Sequence, residues 1–248
     1  MSIWTNLSVG VAIGVVAVSL VLLLATQLVA FRRTEDAREK HAQGLAPLLL
    51  RFLEQNEGTL NKGMTLESIQ VTYDTESDSV DRAMVFRSER HHPSLLIQHC
   101  SVGGQGVGVG VVNSFHELGV RVTANGDSPL VIGEVTGGGS CQSFLIADVV
   151  PPLATRAIRV SHCWPGLWAP LRTEAADSGV FTLKSPVARL TLTFLGGSHG
   201  EALTLRNREP DVGSIITRTD ERGRQVASWE IADAVPRQYR YEVVSVSS

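Results

Sequence analysis

The side chains of this 248-residue chain best suited to metal or acid–base chemistry are His91, His92, His99, Cys100, His116, Cys141, His162, Cys163 and His199. Structural zinc sites announce themselves as C-x₂₋₄-C or H-x₃₋₅-H, and neither spacing occurs. Neighbours on a strand point to opposite faces, so His99-Cys100 and His162-Cys163 cannot each aim both members at one ion. One member of each pair converging with Cys141 would be a nonstandard site. The simpler reading makes the three cysteines buried small hydrophobes, and an odd count argues against a complete disulfide framework. No metal site is predicted.

Gln98-His99-Cys100 and Gly126-Asp127-Ser128-Pro129 superficially resemble the surroundings of the histidine and the nucleophile in serine proteases. The likeness breaks at Pro129, which stands where an oxyanion-hole backbone needs glycine, and Asn125-Gly126 reads as a hairpin turn. No catalytic residue is predicted. Gly103-Gly104-Gln105-Gly106-Val107-Gly108-Val109-Gly110 contains literal glycine-rich phosphate patterns, but such patterns must open a helix, and Val107, Val109, Val111 and Val112 continue as a strand. Glycines 106, 108 and 110 then form one bald strand face for close approach of the protein's own chain, and no cofactor is predicted.

Charge gives no nucleic-acid footprint: the net is −3, the pI is about 6.2 and the basic residues are scattered. The one concentrated apolar loop is Cys163-Trp164-Pro165-Gly166-Leu167-Trp168-Ala169-Pro170. Exposed, Trp164 and Trp168 would be a partner-binding hot spot; buried, they would plug one end of the domain.

The elements that must position these residues begin with a span. None of the 47 charged residues lies among the first 31, and residues 7–31 carry only Ser8, Ser19, Thr26 and Gln27 as polar side chains. A hydrocarbon core ~30 Å thick needs about 20 apolar residues, so this run is expected to cross the bilayer as one helix. A cleaved signal peptide would need a basic start, a shorter apolar run and small-x-small before the cut, and all three are missing. Arg32, Arg33, Arg38 and Lys40 follow the span, which predicts residues 1–6 outside and the C-terminal body in the cytoplasm. Gly10 and Gly14 form a GxxxG, a candidate homodimerisation face within the bilayer.

Residues 32–63 read as a juxtamembrane helical stalk: Leu45, Leu48, Leu49, Phe52 and Leu53 share one helical face, and Gly58 and Gly63 close it. From residue 64 the period changes from 3.6 to 2. About a dozen runs of four to eight residues, rich in Val, Ile, Leu and Thr, predict an all-β domain over 64–248, an antiparallel β-sandwich, with a possible division into two subdomains near 164–179. Three hairpins are expected: 121–124 with 130–135, 190–195 with 202–206, and 214–219 with 224–229. The function expected from this organisation is a single-pass, membrane-anchored, non-enzymatic binding or scaffolding module facing the cytoplasm, with the lipid bilayer and a protein partner as its contacts. The alternatives are an envelope protein with an outward-facing adhesion or ligand-binding ectodomain, and a hydrolase using a cluster of His99, His116 or His162.

Overall fold

The structure, a computed structural model, describes residues 61–103, 115–125, 130–137, 141–196, 202–207 and 211–246. The expected span with Gly10 and Gly14, the stalk up to residue 60 and the glycine run beyond Gly103 lie outside the described residues. Among the described residues no helix is long and apolar enough to cross a membrane.

The strands are β1 (Met64–Asp74), β2 (Ser79–Ser88), β3 (Ser94–Gly103), β4 (Arg121–Ala124), β5 (Leu130–Gly137), β6 (Cys141–Val150) and β7 (Thr155–Cys163). After a short helix, α1 (Ala169–Glu174), come β8 (Ala176–Leu183), β9 (Val187–Leu195), β10 (Ala202–Asn207), β11 (Ser214–Thr219), β12 (Gln225–Ala234) and β13 (Arg237–Val246). A seven-stranded sheet runs β11-β12-β9-β1-β2-β7-β4, and two three-stranded sheets run β10-β13-β8 and β3-β6-β5. The all-β class expected from the alternating pattern is what the chain adopts. One pairing departs from the antiparallel expectation: β1 and β9 run parallel, from Ser68 opposite Arg189 to Asp74 opposite Leu195.

Alternation puts every second side chain of the large sheet on its inner face, and the registers line these into rows. Ala227, Phe194, Tyr73, Val80 and His162 form one; Trp229, Leu192, Val71, Arg82, Val160 and Val122 the next; Ile231, Leu190, Ile69, Met84, Ile158 and Ala124 a third. These rows are apolar except for His162 and Arg82. Phe181, Leu183, Tyr239, Tyr241 and Val243 of the β10-β13-β8 sheet, and Leu96, Cys100, Phe144 and Ile146 of the β3-β6-β5 sheet, complete one continuous hydrophobic cluster.

The β11–β12 hairpin forms as expected, from Ser214 opposite Glu230 to Thr219 opposite Gln225. Its entry depends on Gly213, whose φ of +71° and lack of Cβ let it sit against the Glu230 carbonyl and the Trp229 indole. The other two expected hairpins are corrected. β4 pairs with β7 and β5 with β6. Asn125, at φ +49°, serves the β4–β7 ladder: its amide donates to the Ala157 carbonyl (2.9 Å) and its side-chain oxygen accepts the Ala157 N–H (2.8 Å). β9 pairs with β1 and β12, and β10 with β13. β5 still pairs with its next neighbour in sequence, but β4, β9 and β10 find partners far along the chain rather than across the nearest turn.

Asn61 marks the entry into β1. Its carboxamide accepts the Ile97 N–H (2.8 Å) and donates to the Ile97 carbonyl (2.6 Å), as a neighbouring strand would, and so satisfies part of the free edge of β3.

Candidate functional site

The tryptophan loop is built around one carboxylate. Asp78 ends the turn between β1 and β2 in the left-handed region, at φ +54°. Its oxygens accept the amides of Gly166 and Trp168, each at 2.9 Å, and a two-pronged pair from Arg172 of α1 at 3.0 and 3.1 Å. Its carbonyl takes the Trp164 N–H at 3.0 Å, and Arg172 also donates to the Thr75 carbonyl at 2.7 Å. Burial pushes the Asp78 carboxyl up, but the Arg172 guanidinium and the Trp168 and Gly166 amides outweigh it and hold the group below its ordinary value. The turn thereby folds residues 164–172 back onto the core of the β domain.

Trp164 is 0% and Trp168 3% exposed, so the partner-binding reading of these two residues is corrected: both rings are spent on the core. Trp168 meets Tyr73 and Phe194 edge-on, with ring centroids at 5.7 and 5.8 Å. Two tryptophans in five residues signalled a concentrated apolar contact; the carboxylate that turns it inward lies 86 positions earlier than Trp164, beyond the reach of local pattern.

The histidines and cysteines do not assemble into a recognisable centre among the described residues, where no group of three or more metal-ligating side chains comes together. Cys100 is buried on β3 and Cys163 exposed at the end of β7, with no disulfide between them, and the Cys163 thiol donates to the Ser77 carbonyl at 3.4 Å. His91 and His92 are exposed before β3. His99 stands on β3, opposite Leu145, and His162 on β7, opposite Val80, in different sheets. The His99, His116 and Cys141 side chains and all of His199 lie outside the described residues.

What the inner face does bring together is a polar cluster at the edge strand β8. Arg82, half-buried between Val80 and Met84, holds its guanidinium carbon 5.8 Å from the centroid of the Phe181 ring on β8. His162 is diagonal to it across the β2–β7 register, 8% exposed, with no hydrogen-bond partner for Nδ1. Burial and then the Arg82 charge lower its pKa from 6.5 to about 4, so the imidazole is neutral at pH 7. Tyr73 and Tyr241 face each other, with ring centroids 6.2 Å apart. Burial raises both phenols, for Tyr73 against the opposing effects of the Arg82 charge and of Tyr241, and for Tyr241 with further upward pushes from Tyr73 and Asp177. The Tyr241 ring lies directly over Gly179, where any Cβ would come within 2.4 Å of it. Asp177 faces the same side of β8 as Phe181, its carboxyl raised by burial and by Glu174 against a hydrogen bond from the Ser178 amide.

The contrast with Arg156 defines this site. Arg156 is the other arginine on the inner face of β7 and β2, and it reaches across to Asp148 on β6, Nε to Oδ2 at 2.5 Å and Nη2 to Oδ1 at 3.1 Å. Arg82 has no ion pair or hydrogen bond of this kind among the described residues; its contacts are the Phe181 face and the fields of Tyr73 and His162. A guanidinium carries five N–H donors in a planar fork suited to a carboxylate or other planar anion. The sequence carried a signal for it: Arg82 shares the parity of Val80, Met84 and Phe86, the apolar positions of β2.

No protein family model matches the chain, and no curated protein matches it. Among solved structures it is similar to a proposed nutrient-binding protein from Legionella pneumophila, with 11% identity, 73% of this chain and 67% of that one covered, and a TM-score of 0.45. It is also similar to an M1 zinc metallopeptidase from Deinococcus radiodurans (11% identity, 73% and 42% covered, TM-score 0.37) and to yeast LTA4 hydrolase in complex with bestatin (10% identity, 75% and 29% covered, TM-score 0.41). The chain spans less than half the length of either enzyme. At these identities and TM-scores the likenesses assign this chain neither a family nor an activity.

Proposed function

We propose that the chain is a single-pass membrane-anchored, non-enzymatic binding or scaffolding module whose β-sandwich faces the cytoplasm. Support for the anchor is the run of 31 uncharged residues followed at once by Arg32 and Arg33. Support for binding over catalysis comes from how the described ionisable groups are used. Asp78 with Arg172, Asp148 with Arg156, Asp81 with Arg159, and Asp74 and Asp220 with Arg224 are carboxylate–guanidinium pairs that join strands and loops. The observation that carries the reading is Arg82, an inward-facing cation that makes no ion pair among the described residues. A group of this kind suits capture of a ligand.

The anchor is tested by alkaline carbonate extraction of membranes from cells making the full chain. Retention in the pellet is the expected result; release into the supernatant argues against an integral span and for a peripheral or soluble module.

A further inference from the structure

We propose that the seam at the edge of β8 binds a small organic monocarboxylate, its carboxylate clasped by Arg82 and its body lying against the Phe181 ring. This deepens the binding-module reading and does not depend on the orientation of the membrane anchor.

Three observations define the ligand. The first is the uncompensated cation. Arg82 stands in a row with Leu192, Val71 and Val160, so this half-buried arginine has lost part of its hydration without gaining an ion pair among the described residues. Holding a charge in such surroundings is unfavourable unless an opposite charge arrives, and Arg156 shows the protein supplying one where the need is structural. The second is the unfilled hydrogen-bond capacity beside it. His162 Nδ1 is buried on the same face with no partner, and in the tautomer with its proton on Nδ1 the neutral ring would donate to a bound carboxylate, satisfying a polar atom that otherwise goes unpaired. The third is the nature of the surroundings. Phe181, Val80 and Tyr73 form buried to half-buried apolar and aromatic walls, while the Tyr73 and Tyr241 phenols are neutral at pH 7.

Charge decides between anion classes. Arg82 is the single full cation of the cluster, and Asp177, four residues before Phe181 on the same face of β8, is a carboxyl. One negative charge is neutralised by the guanidinium; the second charge of a phosphate dianion would find no cation of its own among the described residues of the cluster. An aromatic or alkyl monocarboxylate fits both the charge and the walls.

The test is calorimetric titration of the full chain, in an uncharged maltoside detergent at pH 7, with benzoate, butyrate and inorganic phosphate. Benzoate and butyrate are expected to bind saturably at one site per chain, benzoate more tightly, with phosphate at least tenfold weaker. Arg82→Met is expected to abolish carboxylate binding and Arg82→Lys, which keeps the charge but loses the fork, to weaken it about tenfold. Should Arg82→Met fail to fold, Phe181→Leu provides the second arm, with benzoate weakened more than butyrate. Absence of saturable carboxylate binding to the wild type, binding unchanged in Arg82→Met, equal losses for both ligands in Phe181→Leu, or phosphate binding as tightly as benzoate would each overturn the proposal. A negative titration leaves the carbonate extraction result untouched, so the ligand and the anchor fail separately.

Discussion

Asp78 and Arg172 face each other in a two-pronged pair, 3.0 and 3.1 Å, across 94 residues of sequence, and the same carboxylate holds the amides of Gly166 and Trp168. A single side chain thereby determines that the tryptophan loop lies inward. Asp78→Ala is expected to destabilise the domain by about 3 kcal/mol, because it leaves a guanidinium and two amides without their acceptor. Urea unfolding followed by tryptophan fluorescence measures this, and a change under ~0.5 kcal/mol would contradict the role of Asp78. The carboxyl is held below its ordinary value, so its contribution is fully present above the unfolded-state pKa of ~3.9 and is lost as pH falls through the lower folded-state value.

His162 provides the opposite pH signature. Its folded pKa of about 4 lies below the 6.5 of the free side chain. Between these values the unfolded chain takes up a proton that the folded chain refuses, so stability falls as pH drops from ~6.5 toward ~4, by about 3 kcal/mol in total. His162→Gln cannot titrate and is expected to flatten that part of the curve. Equal slopes for the two proteins in urea unfolding between pH 7 and 4.5 would show that His162 is not buried as a neutral ring.

Trp164 is fully buried, and Trp164→Ala is expected to cost about 3–5 kcal/mol, the range for truncating a large core aromatic. A substitution at an exposed binding residue would leave the melting temperature nearly unchanged. Thermal unfolding of this one variant therefore separates the plug from the docking surface.

Gly213 adopts φ +71°, and a Cβ there would stand 2.3 Å from the Glu230 carbonyl oxygen and 2.9 Å from Trp229 Nε1. Gly213→Ala is expected to lose at least ~2 kcal/mol, since both the backbone conformation and the contact oppose it. The indole should report the change directly, because Trp229 Nε1 donates to the Val212 carbonyl at 2.7 Å. An unperturbed Trp229 indole proton resonance in Gly213→Ala would contradict that prediction.

The two-residue period made the strands legible: Ile69, Val71 and Tyr73 alternate along β1 as their sequence suggests, and the turn after Thr219 joins β11 to β12 as expected, with the pairing set one residue further along, Thr219 opposite Gln225. Pairing was legible only where a turn fixes it locally. The parallel alignment of β1 with β9 joins residues about 120 positions apart, and no local pattern encodes it. Arg82 was readable in principle from its parity with Val80 and Met84, but an arginine at one apolar position of a strand is indistinguishable in sequence from one that bends out to solvent. What identifies it is the lack of an ion pair among the described residues, a property of three strands and an opposing sheet. The Trp164–Trp168 pair was legible as a concentrated contact and illegible as to side, because the choice rests with Asp78.

Membrane tethering with the sandwich on the cytoplasmic side is tested most directly by a reporter fused after Ser248, one active only in the cytoplasm or, in a parallel fusion, only after export. Arg32 and Arg33 immediately behind the uncharged run predict activity of the cytoplasmic reporter and silence of the exported one. Activity of the exported reporter with silence of the cytoplasmic one would contradict the orientation and make the sandwich an outward-facing ligand-binding domain.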